Sequence, residues 1–407
     1  MSDPSPNGSG VPVDVVIFGG GAAGLWLLDE AHRCGHRALL LEPYALGSGQ
    51  TIGSQGIIHG GLKYSLSLGR SSSARSIRDM PDVWRRCLAG DATPDLRSTR
   101  RRSDYCFLWR TSSIRSRIGM AGAKAGLRVT PQSIDDDERP EVLRNVPGQV
   151  ARLEEQVIDP QSMLTTLADR HPSRILSIDP AHGVEVRASA PGQVDHVLLI
   201  NPATGDNLDV RPSSIVLTAG RGNDTLREQV GLDAARGQRR PLHMVMVRGD
   251  LPVLNGHCVD GNRTRITVTS SRDHANRTVW QVGGQISEDG VEMDEQTLLE
   301  TARREIEDVI PGIDLSRTEW ATYRVDRAEA NDSRGARPDD MFAEREGNTI
   351  TAWPTKLALV PKLVERILEL LDDPTWGDNK APVVSNWPRP DVAVPPWETS
   401  APWFTID

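Results

Sequence analysis

The sequence predicts an α/β protein whose N-terminal part binds a dinucleotide, and three observations carry that prediction. The run Val13–Phe18 (V-D-V-V-I-F) is β-branched and apolar, the composition of a strand buried on both faces. It runs straight into Gly19-Gly20-Gly21-Ala22-Ala23-Gly24, which holds G-x-G-x-x-G at Gly19, Gly21 and Gly24. A second apolar run, Ala38–Leu41, then ends on an acid, Glu42, roughly twenty residues beyond the first glycine, as a βαβ nucleotide unit requires.

Each element has a physical task. Gly19 permits a tight turn, Gly21 lets backbone approach a diphosphate, and Gly24 lets helix and strand pack closely. Leu25–Arg33 reads as a helix, with Leu27, Leu28 and Ala31 apolar and Gly35 as its stop. The N-terminus of that helix offers N–H groups and partial positive charge to phosphates. Glu42 can accept hydrogen bonds from ribose hydroxyls and would repel a 2′-phosphate.

The chain has 407 residues, 38% of them hydrophobic and 25% charged, enough for two domain-sized units with buried cores. With 56 acidic against 47 basic side chains, the net charge of -9 argues against a generally basic, nucleic-acid-binding surface. No apolar run reaches the ~18 residues that would cross a bilayer, although peripheral membrane contact stays open. The polar start lacks the pattern of a secretory signal. Cys34, Cys87, Cys106 and Cys258 are scattered without metal-ligand spacing. The expectation is a soluble cytoplasmic protein with no metal site.

The segment Gly47–Tyr64 (G-S-G-Q-T-I-G-S-Q-G-I-I-H-G-G-L-K-Y) is small, polar and glycine-rich, suited to lie against a flat ligand. Here the chain resembles the D-amino-acid oxidase-like superfamily of FAD enzymes. Ile58–Tyr64 is similar to the L-I-H-G-G-L-R-Y run of FAD-dependent glycerol-3-phosphate dehydrogenases. Gln50 through His59 is similar to the Q-T-x-x-x-x-G-V-I-H run of L-2-hydroxyglutarate dehydrogenases. Gly53 stands where the former carry an arginine, which tells against a phosphate substrate.

That resemblance implies an α+β two-domain architecture. A Rossmann-like FAD-binding domain of discontinuous segments (12–90, 151–232 and 346–374) would sit against an antiparallel-sheet substrate domain (91–150 and 233–345). A Pro/Trp-rich tail, 375–407, would be extended, because that proline density forbids a helix. FAD would be held by Gly19, Gly21, Ala22, Ala23, Gly24 and Glu42. Gln50, Thr51, Ser54, Gln55, Gly56 and Ile58 would line it, with Val157, Ala219, Gly220, Trp353, Thr355, Lys356 and Leu357.

The rest of the chain supports this layout. In Gln156–Leu167, Asp159 caps and Pro160 opens a helix. Ser214–Gly220 is a buried-strand run ending in a turn. Arg240–Val247, Thr264–Ser270 and Thr278–Gln285 read as strands, and Glu295–Ile310 as an amphipathic helix. The arginine-rich stretch Arg97–Arg117 reads as a solvated, salt-bridged face. A lone strand histidine, His243, reads as structural. Lys362–Leu371 reads as a last helix with an apolar stripe.

Two residues carry the expected chemistry. His59 would take a hydroxyl proton or hold the flavin's geometry. Arg324, in T-Y-R-V, is similar to the family arginine that binds the substrate anion, with Arg327 as a second candidate. Lys356 would stabilise charge on the reduced flavin. The resemblance therefore implies an FAD-dependent dehydrogenase that moves a hydride from a small anionic alcohol to flavin N5. The alcohol would be a 2-hydroxy acid or a glycerol-3-phosphate-like compound, and electrons would leave to a quinone, a protein carrier or oxygen. An amino-acid or amine oxidase, or a flavin-binding partner protein without turnover, are the alternatives.

Overall fold

Runs rich in Val, Ile and Leu must hide both their side chains and their backbone polar groups, and here they pair into two eight-stranded sheets. In this computed structural model the described residues are 10–60, 77–111, 132–260, 263–331, 338–375, 384, 386–399 and 402–406. Gly61–Tyr64, the start of Ser72–Ala89, the end of the arginine-rich stretch and parts of the tail lie outside them.

The first sheet runs Phe342–Glu346, Thr349–Trp353, Asn207–Leu217, Val11–Phe18, Ala38–Glu42, Ile175–Ser177. The last five are parallel in sequence of pairing, and Phe342–Glu346 is an antiparallel edge. Strand alternation sends Val15 and Ile17 to one face, against Leu25, Leu28 and Ala31 of helix Ala22–Arg33 and Leu363 and Ile367 of helix Val360–Leu370. Val16 and Phe18 go to the other face, under Val194, Val197 and Leu199. Those come from Val184–Ala190 and Gln193–Ile200, a hairpin extending from Asn207–Leu217. The first of these strands is largely exposed and polar, so its residues carry little strand signal.

The second sheet runs Thr318–Ala330, Gly237–Gly249, Thr278–Gly283, Arg263–Arg272, Gly256–Asp260, Cys106–Arg110, Val150–Leu153, Gln132–Ile134. It is antiparallel apart from the pair Gly256–Asp260 and Cys106–Arg110. Helix Glu295–Val309 packs Leu298, Ala302 and Ile306 on one face with Val245, Val247 and Val268. Asp294 caps it through Thr297 N at 2.8 Å. The mixed α/β architecture agrees with expectation. Its segment boundaries shift slightly: Val150–Leu153 joins the second sheet, and Phe342–Glu346 joins the first.

The described parts of the tail hold no α-helix and reach both sheets. Leu46 bridges Val392 beside the first sheet, while Trp320 bridges Phe404 in the second. Trp397 buries against Met246, Val279 and Ala321. The described part of the arginine-rich stretch follows expectation in part. Arg97, Arg100 and Arg101 are exposed and paired with Asp95, Asp159 and Asp104, whereas Arg102 and Arg110 have buried side chains. No described helix is long and apolar enough to cross a membrane.

Gly24 marks the tightest helix–strand approach. A Cβ there would meet Gly19 O at 1.9 Å and Thr218 Oγ1 at 2.8 Å. Gly24→Ala should therefore push the helix off the strand and cost about 1–3 kcal/mol, read as a lowered urea midpoint. An unchanged midpoint would refute this packing.

Candidate functional site

The first glycine loop turns where two strand ends nearly touch. Gly19 holds φ +106°, and a Cβ on it would lie 2.5 Å from Ala219 Cα. The N-cap residue of the helix that begins at Ala22 is Gly21, which has no side chain to cap it, so the first turn presents backbone N–H groups and a positive dipole end. Glu42 closes the loop from the next strand: Oε2 accepts from Gly20 N at 2.6 Å and Oε1 from Tyr44 N at 2.9 Å. Burial pushes this carboxyl upward, and the two backbone bonds oppose that. Each oxygen keeps acceptor capacity for a ribose hydroxyl. This donor and acceptor set fits an adenine dinucleotide.

The segment from Leu46 to Gly60 is bonded to both sheets. Gly47 N donates to Gly20 O, and Ala22 N to Thr51 Oγ1 at 3.2 Å. On the other side, Ala328 N donates to Gln50 Oε1, and Gln55 Nε2 donates to Thr267 O and Gln281 O, each at 2.9 Å. The Tyr323 hydroxyl donates to Gly53 O at 2.8 Å. Gly56, at φ +73°, leaves no room for a Cβ beside Ile158 O, 2.1 Å away. Ile57 bridges Val157, and Ile58 is buried.

At the end of this segment lies a carboxylate that sequence reasoning missed. Glu155 is fully buried. Its Oε1 accepts from Gly60 N at 2.7 Å, and its Oε2 lies 3.4 Å from His59 Nδ1 and 3.7 Å from His257 Nε2. His257 is fixed in turn by Thr267 Oγ1 at 2.9 Å from Nδ1. Burial alone would raise the Glu155 pKa. Hydrogen bonds and charge from His257 and His59 outweigh burial and hold it well below the ordinary carboxylate range. An ionised carboxylate only accepts, so the nitrogen that faces it, His59 Nδ1, is the donor of this pair. The three side chains have donor atoms within 4.8 Å of one another, a spacing that a metal ion could bridge. The Gly60 amide and the two imidazoles already satisfy the carboxylate without one.

The other expected residues fall into two groups. Ala219 and Gly220 lie at the crossing: Ala219 N donates to Asn223 Oδ1 at 2.8 Å, and Gly220 O accepts from Trp353 Nε1 at 3.1 Å. Thr355 takes a left-handed φ of +57° and is buried, and Leu357 opens a short 3-10 turn. Lys356 Nζ donates to Asp339 O at 3.3 Å. Ser54 is partly buried beside them.

Arg324 is elsewhere, which corrects its expected role. Strand alternation turns Tyr323 and Val325 toward Gly53 and therefore turns Arg324 away. Its guanidinium donates to Val291 O and Met293 O on the opposite face. His243, directly across the ladder, shares that face and bonds Gly290 O. Arg327 is taken by Glu288 at 3.0 Å. Glu155 stands just before a short strand, a weak signal; His257 had none, because only tertiary pairing brings its strand beside residue 155.

The profile of the family described as FAD dependent oxidoreductase matches residues 14–345. The probable FAD-dependent oxidoreductase PA4991 of Pseudomonas aeruginosa is 37% identical over 392 residues, 95% of this chain and 98% of that protein. Its crystal structure superposes with a TM-score of 0.78, covering 96% of this chain and 99% of the other. Two more distant structures share the fold. Glycine oxidase from Geobacillus kaustophilus matches at TM-score 0.61 and 17% identity, over 92% of this chain and all of its own. L-alpha-glycerophosphate oxidase from Mycoplasma pneumoniae, with FAD bound, matches at 0.62 and 15%, over 91% and 98%.

Because the folded pKa of Glu155 lies below its unfolded value of ~4.3, its stabilisation is present above that value. It is lost as pH falls through and below it. Wild type should therefore lose more stability between neutral and acid pH than Glu155→Gln, measured by urea unfolding across that range. Parallel curves would show that Glu155 is not held ionised.

Proposed function

The chain belongs to the FAD dependent oxidoreductase family, and on that premise we propose that it dehydrogenates a small anionic alcohol, a 2-hydroxy acid before any other, with His59 as the proton acceptor. The observation that supports this is the Glu155 carboxylate on His59 Nδ1. It orients the ring by holding Nδ1, which leaves Nε2 to face a substrate hydroxyl as the proton acceptor.

The cofactor's residues fit the same reading. Gly19, Gly21 and Gly24 shape the phosphate turn, Glu42 takes the ribose, and Gln50 to Ile58 with Val157 lie along the ring system. FAD bound there supplies the two-electron acceptor. The protein's own contribution is positional. Gln55 and Tyr323 pin the segment to the second sheet, so the distance between His59 and a substrate over that sheet is set by hydrogen bonds rather than by a mobile loop. Glu155 stabilises the imidazolium that forms when His59 takes the proton, as a buried carboxylate does beside a catalytic histidine. His257, against the same oxygen, limits how far that carboxylate can move.

Anaerobic mixing of the yellow holoprotein with hydroxy acids, glycerol phosphates, amino acids and amines tests the reading. A 2-hydroxy acid should bleach the flavin fastest. Bleaching by amines or amino acids alone would overturn the alcohol assignment and leave the flavin assignment standing. His59→Ala should slow bleaching by about 100-fold or more while FAD stays bound. Unchanged bleaching would remove its role.

A further inference from the structure

Buried guanidinium groups normally spend all their donors, since each donor left without a partner carries the full cost of leaving water. Arg102 does not. It lies in the three-residue strand Arg101–Ser103, which pairs with Val157–Ile158, the strand bridged to Ile57 near His59. Its side chain is only 6% exposed. Nη2 donates to Asp159 Oδ2 at 3.3 Å, while Nε and Nη1 reach no acceptor.

Asp159 only partly compensates this cation. Its Oδ1 accepts from Ser162 N to cap the following helix, and Arg100 Nε lies 3.9 Å from its Oδ2. The Trp397 ring lies over the guanidinium, its centroid 5.5 Å away. Trp397 and Tyr323 pack in one cluster with Met246, Val279 and Ala321. The Tyr323 hydroxyl accepts from Gln281 Nε2 at 2.9 Å and donates to Gly53 O. Arg102 thus stands at the junction of the ring-lining segment and the second sheet, on the sheet face that Arg324 does not share.

We propose that Arg102, roofed by Trp397, binds the carboxylate of the substrate, with Nη1 and Nε as the donors that the fold leaves unspent. The assignment names the anion site of the function proposed above and rests on that reading. One guanidinium already sharing Asp159 balances a single added negative charge, which favours a carboxylate over a phosphate dianion. A charge-assisted hydrogen bond at a buried site also discriminates sharply against an uncharged isostere, because an amide brings no negative charge to compensate the guanidinium.

The test is made on holoprotein without turnover. Acetate, propionate and glutarate are titrated against the flavin's visible spectrum, with acetamide, propionamide and methyl phosphate in parallel. At least one carboxylate should perturb the spectrum with a Kd well below that of its amide and of methyl phosphate. Arg102→Gln should weaken that Kd by roughly 10- to 100-fold, and Arg102→Lys should recover part of it. Arg101→Gln, at an exposed neighbour paired with Asp104, should leave it unchanged. FAD content and unfolding midpoint are recorded for every variant, and if Arg102→Gln does not fold, the Lys variant against wild type decides. Carboxylate binding unaffected by either substitution, no perturbation by any carboxylate, or tighter binding of methyl phosphate would overturn the proposal. Reduction of the flavin by amino acids in place of hydroxy acids would overturn the alcohol reading yet leave the Arg102 result intact, so the two failures are distinguishable.

Discussion

The segment Leu46–Gly60 is hydrogen-bonded to both sheets at once, and the site depends on that double attachment. From the first sheet it takes the glycine-loop carbonyl at Gly20 and the helix amide of Ala22. From the second it takes Ala328 N, the carbonyls of Thr267 and Gln281, and the Tyr323 hydroxyl. A segment so rich in glycine would otherwise hold no fixed shape, since glycine loses the most conformational entropy on ordering. The polar side chains Gln50, Thr51 and Gln55 supply the bonds that offset this cost. The first glycine loop, this segment and the second sheet consequently keep one geometry.

Buried charge is the second organising feature. Glu155 is excluded from water and tolerated only because Gly60 N–H and two imidazoles surround it. Breaking such a set leaves an uncompensated ion inside the protein, which is why the orientation of His59 is stiff. Arg102 is the complementary case, a buried cation whose compensation is incomplete. A fold carries such a cost where function offsets it. Both residues flank the same segment, one at its end and one beside its paired strand.

Much of the architecture was legible along the chain. The first strand, glycine loop, helix and second strand are local features with strong periodicity, as are the Asp159–Pro160 helix start and the amphipathic helix at 295–309. The strands Val184–Ala190 and Gly256–Asp260 were not, because one is too polar and the other too short to stand out. Arg324 shows the limit from another side. The run T-Y-R-V singles out its arginine alone; a strand of period two decides which neighbour faces Gly53, and a single position changes the face.

By itself, the sequence determined the strand, glycine loop, helix and second strand of the N-terminal unit and singled out His59, since these rest on residues adjacent in the chain. Only the tertiary structure decided what surrounds that histidine. Glu155 and His257 meet at it from distant parts of the chain, while Arg102 pairs its own strand beside Val157–Ile158 and lies under the Trp397 ring of the tail. Their meeting is a matter of sheet pairing and burial, and neither is written in the spacing of residues so far apart.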